Sequence, residues 1–219
     1  MRQTSRFSEI IGNKIEDYAF HILGCGAIGS SAATQLVRCG ALNMYLYDMD
    51  TVSSENIGVS QYNTEDINQP KVFALESILK KISPQVNVEY SHGEFKIYFP
   101  EENMKNIIIL GFDSMKSRLD AVTRITNCPL KPEAIIDGRM GAEHYQQYNI
   151  IKPTLKKYLS TWYSDEKGSP DPCNAKATSY CSNMSGSFIA NAVRKIITEQ
   201  PLDKEISFNF PTNMLWKKA

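Results

Sequence analysis

Residues 19–50 read AFHILGCGAIGSSAATQLVRCGALNMYLYDMD. An apolar run is followed by a glycine turn, an alanine-rich amphipathic stretch, a short turn and a second apolar run that ends in acid. The pattern predicts a buried strand over 20–24, a helix over 28–39 closed by Gly40, and a second strand over 44–48. Gly24, Gly26 and Gly29 give G-x-G-x-x-G. In that spacing the first glycine permits the tight turn and the second lets a phosphate approach the backbone. The third lets the helix pack close to the strand. The helix that follows aims unpaired N–H groups and its positive dipole end at the same place. Asp48 lies 19 residues past Gly29, where an acidic side chain can hold a ribose hydroxyl. Strand, turn, helix and acid stand in the order a nucleotide turn needs, but the turn alone does not say which nucleotide.

The rest of the chain repeats the β-α-β rhythm. Pro70 opens a helix whose apolar stripe is Val72, Leu75, Ile78, Leu79 and Ile82. Residues 86–91 alternate as a strand, and 107–111 form a short continuous apolar run, the mark of a central parallel strand. A helix follows, capped by Asp113 or Ser114. A buried strand is predicted at 134–137 and an antiparallel one at 144–151. The stretch SGSFIANAVRKII forms a last helix, and ISFNFP a late edge strand. The predicted fold is a doubly wound, mostly parallel Rossmann-like α/β sheet with an antiparallel extension near the C-terminus. Residues 1–219 read as one domain with a helical lead-in arm at 1–18. Two long polar loops stand out, 51–69 and 160–172, the second a candidate flap over a site.

Composition narrows the classes. Lys plus Arg and Asp plus Glu number 24 each, so the net charge is zero and no nucleic-acid surface is advertised. Hydrophobic residues make up 42% and charged residues 22%, an ordinary globular balance. No unbroken apolar run is long enough to span a membrane, and MRQTSRFSEI lacks the apolar core of a signal peptide. A cytoplasmic protein with reduced thiols is expected. The five cysteines, Cys25, Cys39, Cys128, Cys173 and Cys181, include no C-x-x-C pair, which argues against structural zinc and against a disulfide framework.

Charged and amide residues gather near the predicted carboxyl ends of the strands: Asp48, Asp50, Asn56, Lys71, Asp113 and Arg118. In a doubly wound sheet those ends line the ligand crevice. A glycine turn, a lysine, an arginine and several carboxylates suit a magnesium-bound triphosphate, whereas a nicotinamide has no need of the lysine.

In their order, GCGAIGS, DMDTVSSENIGVSQ, INQPKV and GFDSMKSR resemble the adenylyltransferase fold of ubiquitin-activating enzymes. The bacterial relatives that activate sulfur carriers in thiamine and molybdopterin synthesis look most similar. The resemblance covers about residues 6–197. It implies that Gly24, Gly26, Ala27 and Gly29 form the nucleotide loop and that Asp48, with Asp50 beside it, serves the ATP ribose. Asn56 and Lys71 would contact phosphates, and Asp113, with Ser114 beside it, would help place Mg²⁺. It further implies attack by the C-terminal carboxylate of a small β-grasp ubiquitin-like or sulfur-carrier protein, or of a peptide, on ATP, giving an acyl-adenylate. Homodimerisation is implied, and Cys173 becomes a candidate acyl acceptor, with Cys181 its competitor. The family's arginine after the Asn is missing here: the run is Val59-Ser60-Gln61. Near the N-terminus Glu9 stands where a second arginine is usual, leaving Arg6, Arg118 or Arg139 as substitutes. Three other readings stay open: a non-catalytic partner subunit of a heterodimeric activating enzyme, an NAD-dependent dehydrogenase resting on the glycine turn alone, and a ring-forming RNA dehydratase that shares the activation step, against which the zero net charge argues.

Overall fold

The computed structural model describes residues 6–165 and 177–219. Eight strands form one mixed sheet: β1 Tyr18–Leu23, β2 Asn43–Asp48, β3 Asn87–His92, β4 Lys105–Leu110, β5 Ala134–Gly141, β6 His144–Ile151, β7 Glu205–Asn209 and β8 Met214–Lys218. Their spatial order is β3-β2-β1-β4-β5-β6-β7-β8. The pairings from β3 across to β5 are parallel, and those from β5 to β8 are antiparallel. The predicted doubly wound sheet with an antiparallel extension is therefore the fold. After β3 the chain returns to the other side of β1, so the direction of winding reverses between β1 and β4. In a doubly wound sheet such a reversal places the ligand crevice at the carboxyl ends of these strands.

The helices are α1 Ser8–Ile11, α2 Ala27–Arg38, α3 Ser54–Ile57, α4 Lys71–Ile82, α5 Met115–Asn127, α6 Leu155–Leu159 and α7 Ser179–Ile197. Residues of α2, α4 and α7 join Phe20, Ile22, Ile107 and Ile109 in one apolar layer. Residues of α5 and α6 join Ala19, Leu23, Ile108 and Leu110 in the other. Every residue of β1 is buried, which is why that strand shows no polar alternation. The predicted helix stop at Gly40 is observed, with φ +102° and Ala41 N–H donating to Leu36 O at 3.0 Å.

The parallel crossover from β3 to β4 has no helix. Residues 93–104 instead lay Phe95 and Tyr98 over the sheet, where they pack with Tyr45 and Tyr47. Beneath them His21 is fully buried. It stacks on Tyr45 at 4.6 Å and bonds Asn106 Oδ1 through Nε2 at 2.8 Å. Burial lowers its pKa to about 4.

Five expectations need correction. The described part of the 1–18 arm is not a continuous helix: α1 is one turn, a 3₁₀ turn follows at Lys14–Asp17, and β1 already begins at Tyr18. Ile11, Ile15 and Tyr18 are buried, so this segment belongs to the core. The 51–69 loop is not irregular throughout, because it holds α3 and a 3₁₀ turn at Thr64–Asp66. Pro70 is the N-cap of α4 rather than its first helical residue. The last helix starts at Ser179, six residues before the SGSFIAN run, since Cys181 and Ser182 are buried and Ser182 Oγ donates to Ala27 O of α2 at 2.8 Å. ISFNFP is not an edge: β7 lies inside the sheet because β8, not foreseen, pairs with its far side.

Candidate functional site

At the end of β1 the chain turns at Gly24 with φ +88°, a conformation L-residues rarely adopt. A Cβ there would stand 2.8 Å from Gly111 C and Phe112 N, so the β1 and β4 turns meet backbone to backbone. A Cβ on Gly29 would overlap the Gly24 carbonyl oxygen. Gly26 differs: a Cβ placed on it meets no atom within 4 Å. Of the three glycines, two are required by neighbouring backbone and one borders open space.

The turn is held from β2. Asp48 Oδ2 accepts the Cys25 N–H at 2.6 Å and Asp48 Oδ1 the Asp50 N–H at 2.8 Å. Burial raises the Asp48 carboxyl above its ordinary pKa. The charge of Lys71 and the two N–H bonds oppose that shift. Lys71, the first residue of α4, donates its backbone N–H to Asp50 O at 3.0 Å and its Nζ to Asp50 Oδ2 at 2.7 Å. The lysine side chain is 10% exposed and that of Asp50 56%, so the ion pair sits at the mouth of the crevice. The first intrahelical bond of α2 runs from Ser30 N–H to Gly26 O. The N–H groups of Ala27, Ile28 and Gly29 consequently have no acceptor within the helix, and the positive end of a 12-residue helix faces the turn.

Other predicted residues are placed as follows. Asn56 Oδ1 accepts the Ser53 N–H at 3.0 Å, an N-terminal brace of α3. Ser114, not Asp113, caps α5, accepting the Ser117 N–H at 3.3 Å. Asp113 is exposed and makes no hydrogen bond or ion pair among the described residues. Arg6 is exposed ahead of α1, with no contact tying it to the crevice among the described residues. Cys173 lies outside the described residues. Cys181 is fully buried and its thiol is pushed up to about 12, which removes it as a ready nucleophile. Cys25 and Cys39 are likewise raised by burial.

Arg118 and Arg139 are not free to replace a missing arginine. Arg118 donates to Asp137 Oδ1 and to Phe112 O, and Arg139 donates to Asp137 Oδ2 through Nη2 at 2.7 Å and through Nε at 3.0 Å. Tyr158 OH adds a third donor to Asp137 Oδ2 at 3.2 Å. A buried carboxylate shared by two guanidiniums is a structural lock on the β4–α5 turn, and removing either partner strands a buried charge.

Sequence reasoning did not single out Tyr62, Asp137 or Asp165. Asp137 announced itself only as the end of an apolar run. Asp165 Oδ1 accepts the Met115 N–H at 2.8 Å and Trp162 Nε1 donates to Met115 O at 2.8 Å. The front of the expected 160–172 flap is thus seated on the start of α5; its residues from 166 lie outside the described residues. Tyr62 was a lone aromatic in a polar loop. Its hydroxyl donates toward Cys25 O at 2.6 Å and lies 3.2 Å from Lys71 O.

Sheet order, crevice and glycine turn together define a Rossmann-like α/β protein. The model of the ThiF family matches residues 1–217, and the chain belongs to that family. A ubiquitin-like modifier-activating enzyme 5 from Arabidopsis thaliana is 30% identical over 156 residues, covering 68% of this chain and 32% of that protein. The protein of the same name from Oryza sativa subsp. japonica is 37% identical over 76 residues, covering 35% of this chain and 18% of its own length. The chain spans a third or less of the length of these curated relatives. Among solved structures, E. coli MccB superposes with a TM-score of 0.79 at 17% identity, covering all of this chain and 69% of that one. MccB crystallised with ATP gives a TM-score of 0.76 at 15% identity, covering all of this chain and 71% of that one. At these identities the likeness is one of fold.

Proposed function

We propose that this chain is an ATP-dependent adenylyltransferase that activates the C-terminal carboxylate of a small ubiquitin-like or sulfur-carrier protein, or of a peptide. The observation that carries the reading is the Lys71–Asp50 pair, 2.7 Å apart beside a glycine turn whose middle glycine borders open space. Phosphate fits that space: the unpaired N–H groups of Ala27, Ile28 and Gly29 supply donors, and Lys71 supplies a cation. An incoming phosphate competes with Asp50 for the lysine. Asp48 has already accepted one N–H on each oxygen, and each oxygen keeps a further lone pair for a ribose hydroxyl. Asn56 has its amide N–H₂ left to donate, since Oδ1 is engaged by Ser53. These groups support the ATP reading over the dehydrogenase one, which has no use for Lys71.

In the proposed step a carboxylate oxygen of the substrate bonds to the α-phosphorus as the bond to the β-phosphate oxygen breaks. Pyrophosphate leaves, and the acyl group remains as a mixed anhydride with AMP. The nucleophile is already ionised, so no base is required. What this chain contributes is positioning and neutralisation of charge on the departing phosphates. Among the described residues no three candidate ligands cluster as a metal site. A magnesium ion would be held mainly by the nucleotide and by one carboxylate, Asp113, beside Ser114. When bound, the ion offsets phosphate charge.

Arg6 and Cys173 remain proposals of this reading, the first as a cation reaching a triphosphate and the second as an acyl acceptor. A homodimer of one-domain chains in the cytoplasm completes it. A peptide is a fitting substrate class because MccB has been crystallised with N-formylated MccA. The alternative, a non-catalytic partner subunit, draws support from the lack of the family's arginine around Val59-Ser60-Gln61 and from the engagement of Arg118 and Arg139 by Asp137. ATP–pyrophosphate exchange in the presence of candidate carriers and short peptides decides between them. Carrier-dependent exchange is expected. ATP binding with no exchange for any carrier, restored on adding a partner chain, favours the subunit reading.

A further inference from the structure

The backbone of Cys25 is held on both sides by side chains remote in sequence. Its N–H is taken by Asp48 from the end of β2 and its C=O by Tyr62 from the 51–69 loop, each at 2.6 Å. Tyr62 is 3% exposed. It is itself fixed: Gln61 N–H donates to Ser30 Oγ on α2 at 3.2 Å, and Asn63 N–H donates to Asp66 Oδ2 at 2.7 Å. The same hydroxyl lies 3.2 Å from the carbonyl of Lys71. One phenol thereby touches both the glycine turn and the residue that carries the crevice lysine.

The C=O of Cys25 and the N–H of Gly26 belong to one peptide unit. No peptide bond among the described residues is cis. In a trans unit the two groups point in opposite directions. Anchoring Cys25 O toward Tyr62 therefore sets the Gly26 N–H facing away from Tyr62, and that N–H has no acceptor among the described residues. Without the hydroxyl the unit next to a glycine is free to rotate, because Gly26 has no side chain to resist it and no atom near its Cβ position.

We propose that Tyr62 is a positioning residue: its hydroxyl fixes the Cys25–Gly26 peptide so that the Gly26 N–H joins the start of α2 in receiving a phosphate, and it keeps Lys71 in register with that nest. This rests on the reading of the crevice as a triphosphate site. The hydroxyl, not the ring, carries the role. A phenylalanine fills the same volume and leaves Cys25 O without its donor.

The test compares Tyr62→Phe with the parent by calorimetric titration, using ATP with Mg²⁺ and, separately, adenosine. Loss of one oriented donor weakens ATP by about five- to tenfold, while adenosine, which lacks phosphate, stays within about twofold. ATP binding equal to the parent's, or equal weakening of ATP and adenosine, overturns the proposal. If Tyr62→Phe does not fold, the parent decides alone, with its 12 glycine amides labelled with nitrogen-15. The Gly26 resonance moves on saturation with ATP and not with adenosine; a Gly26 amide unmoved by saturating ATP overturns it. A parent that binds no ATP overturns both this inference and the site reading, whereas ATP binding with an indifferent Tyr62→Phe overturns this inference only.

Discussion

Gly26 and Gly29 stand in one turn and respond in opposite ways to an added methyl group. At Gly29 the methyl meets the Gly24 carbonyl, which is backbone and cannot swing aside. Gly29→Ala should lower stability by about 3 kcal/mol or more, read as a fall in denaturant midpoint. At Gly26 the methyl meets nothing within 4 Å. Gly26→Ala should leave the midpoint within about 0.5 kcal/mol of the parent and still abolish most ATP binding, since the methyl occupies the space a phosphate needs. A Gly26→Ala protein that binds ATP normally refutes the placement of phosphate at this turn. The tight turn at Gly24 and the close helix–strand contact at Gly29 were legible in the sequence because backbone geometry is written in spacing. Tyr62 was not, because a hydrogen bond across 37 residues leaves no periodic trace. Asp137 was hidden for the same reason: its two arginines come from a helix and from its own strand.

At the scale of elements, the segment that replaces the β3–β4 helix makes His21 the most perturbed base of the fold. In the unfolded chain a histidine protonates near its ordinary value of 6.5, while in the fold burial holds the value at about 4. Between those limits the unfolded state binds the extra proton, so stability is full above pH 6.5 and falls as the pH drops toward 4. The loss approaches about 3 kcal/mol at the acid end. His21→Phe removes the titrating group and leaves Asn106 Oδ1 bonded to the Glu101 N–H at 2.9 Å. Urea denaturation of both proteins from pH 7 to 4 should give a parent curve steeper by that amount; parallel curves contradict the burial of a neutral His21. Strand and helix order was readable in advance, because burial on both sheet faces erases alternation in β1 and β4 and the helices keep their 3.6-residue stripes. β8 was missed because its five exposed residues, a Met-Leu-Trp run followed by two lysines, show no alternation of apolar and polar side chains. No helix is read between residues 91 and 107, and none is there; the cover that Phe95 and Tyr98 form instead has no period to announce it.

At the scale of the molecule, the reversal of winding between β1 and β4 brings the glycine turn, the Asp48 carboxylate and the Lys71–Asp50 pair to one crevice. Among the described residues it does not bring a free arginine there. Arg118 and Arg139 are engaged by Asp137, Arg6 is exposed without a tie to the crevice, and among the residues touching it Lys71 is the cation within a hydrogen bond of Asp50. In the proposed site most of the phosphate recognition therefore falls on backbone N–H groups and on that one lysine. Helices and strands could be read from local pattern, whereas charge pairing depends on which groups meet in space, which is why the fate of the arginines had to come from the structure. The most direct measurement is calorimetric titration of the parent and of Lys71→Ala with ATP–Mg²⁺ and with NAD. Saturable ATP binding by the parent, at least about tenfold weaker in Lys71→Ala and tighter than any binding of NAD, is the predicted result. No binding of ATP, or NAD bound more tightly than ATP and indifferent to Lys71, contradicts it.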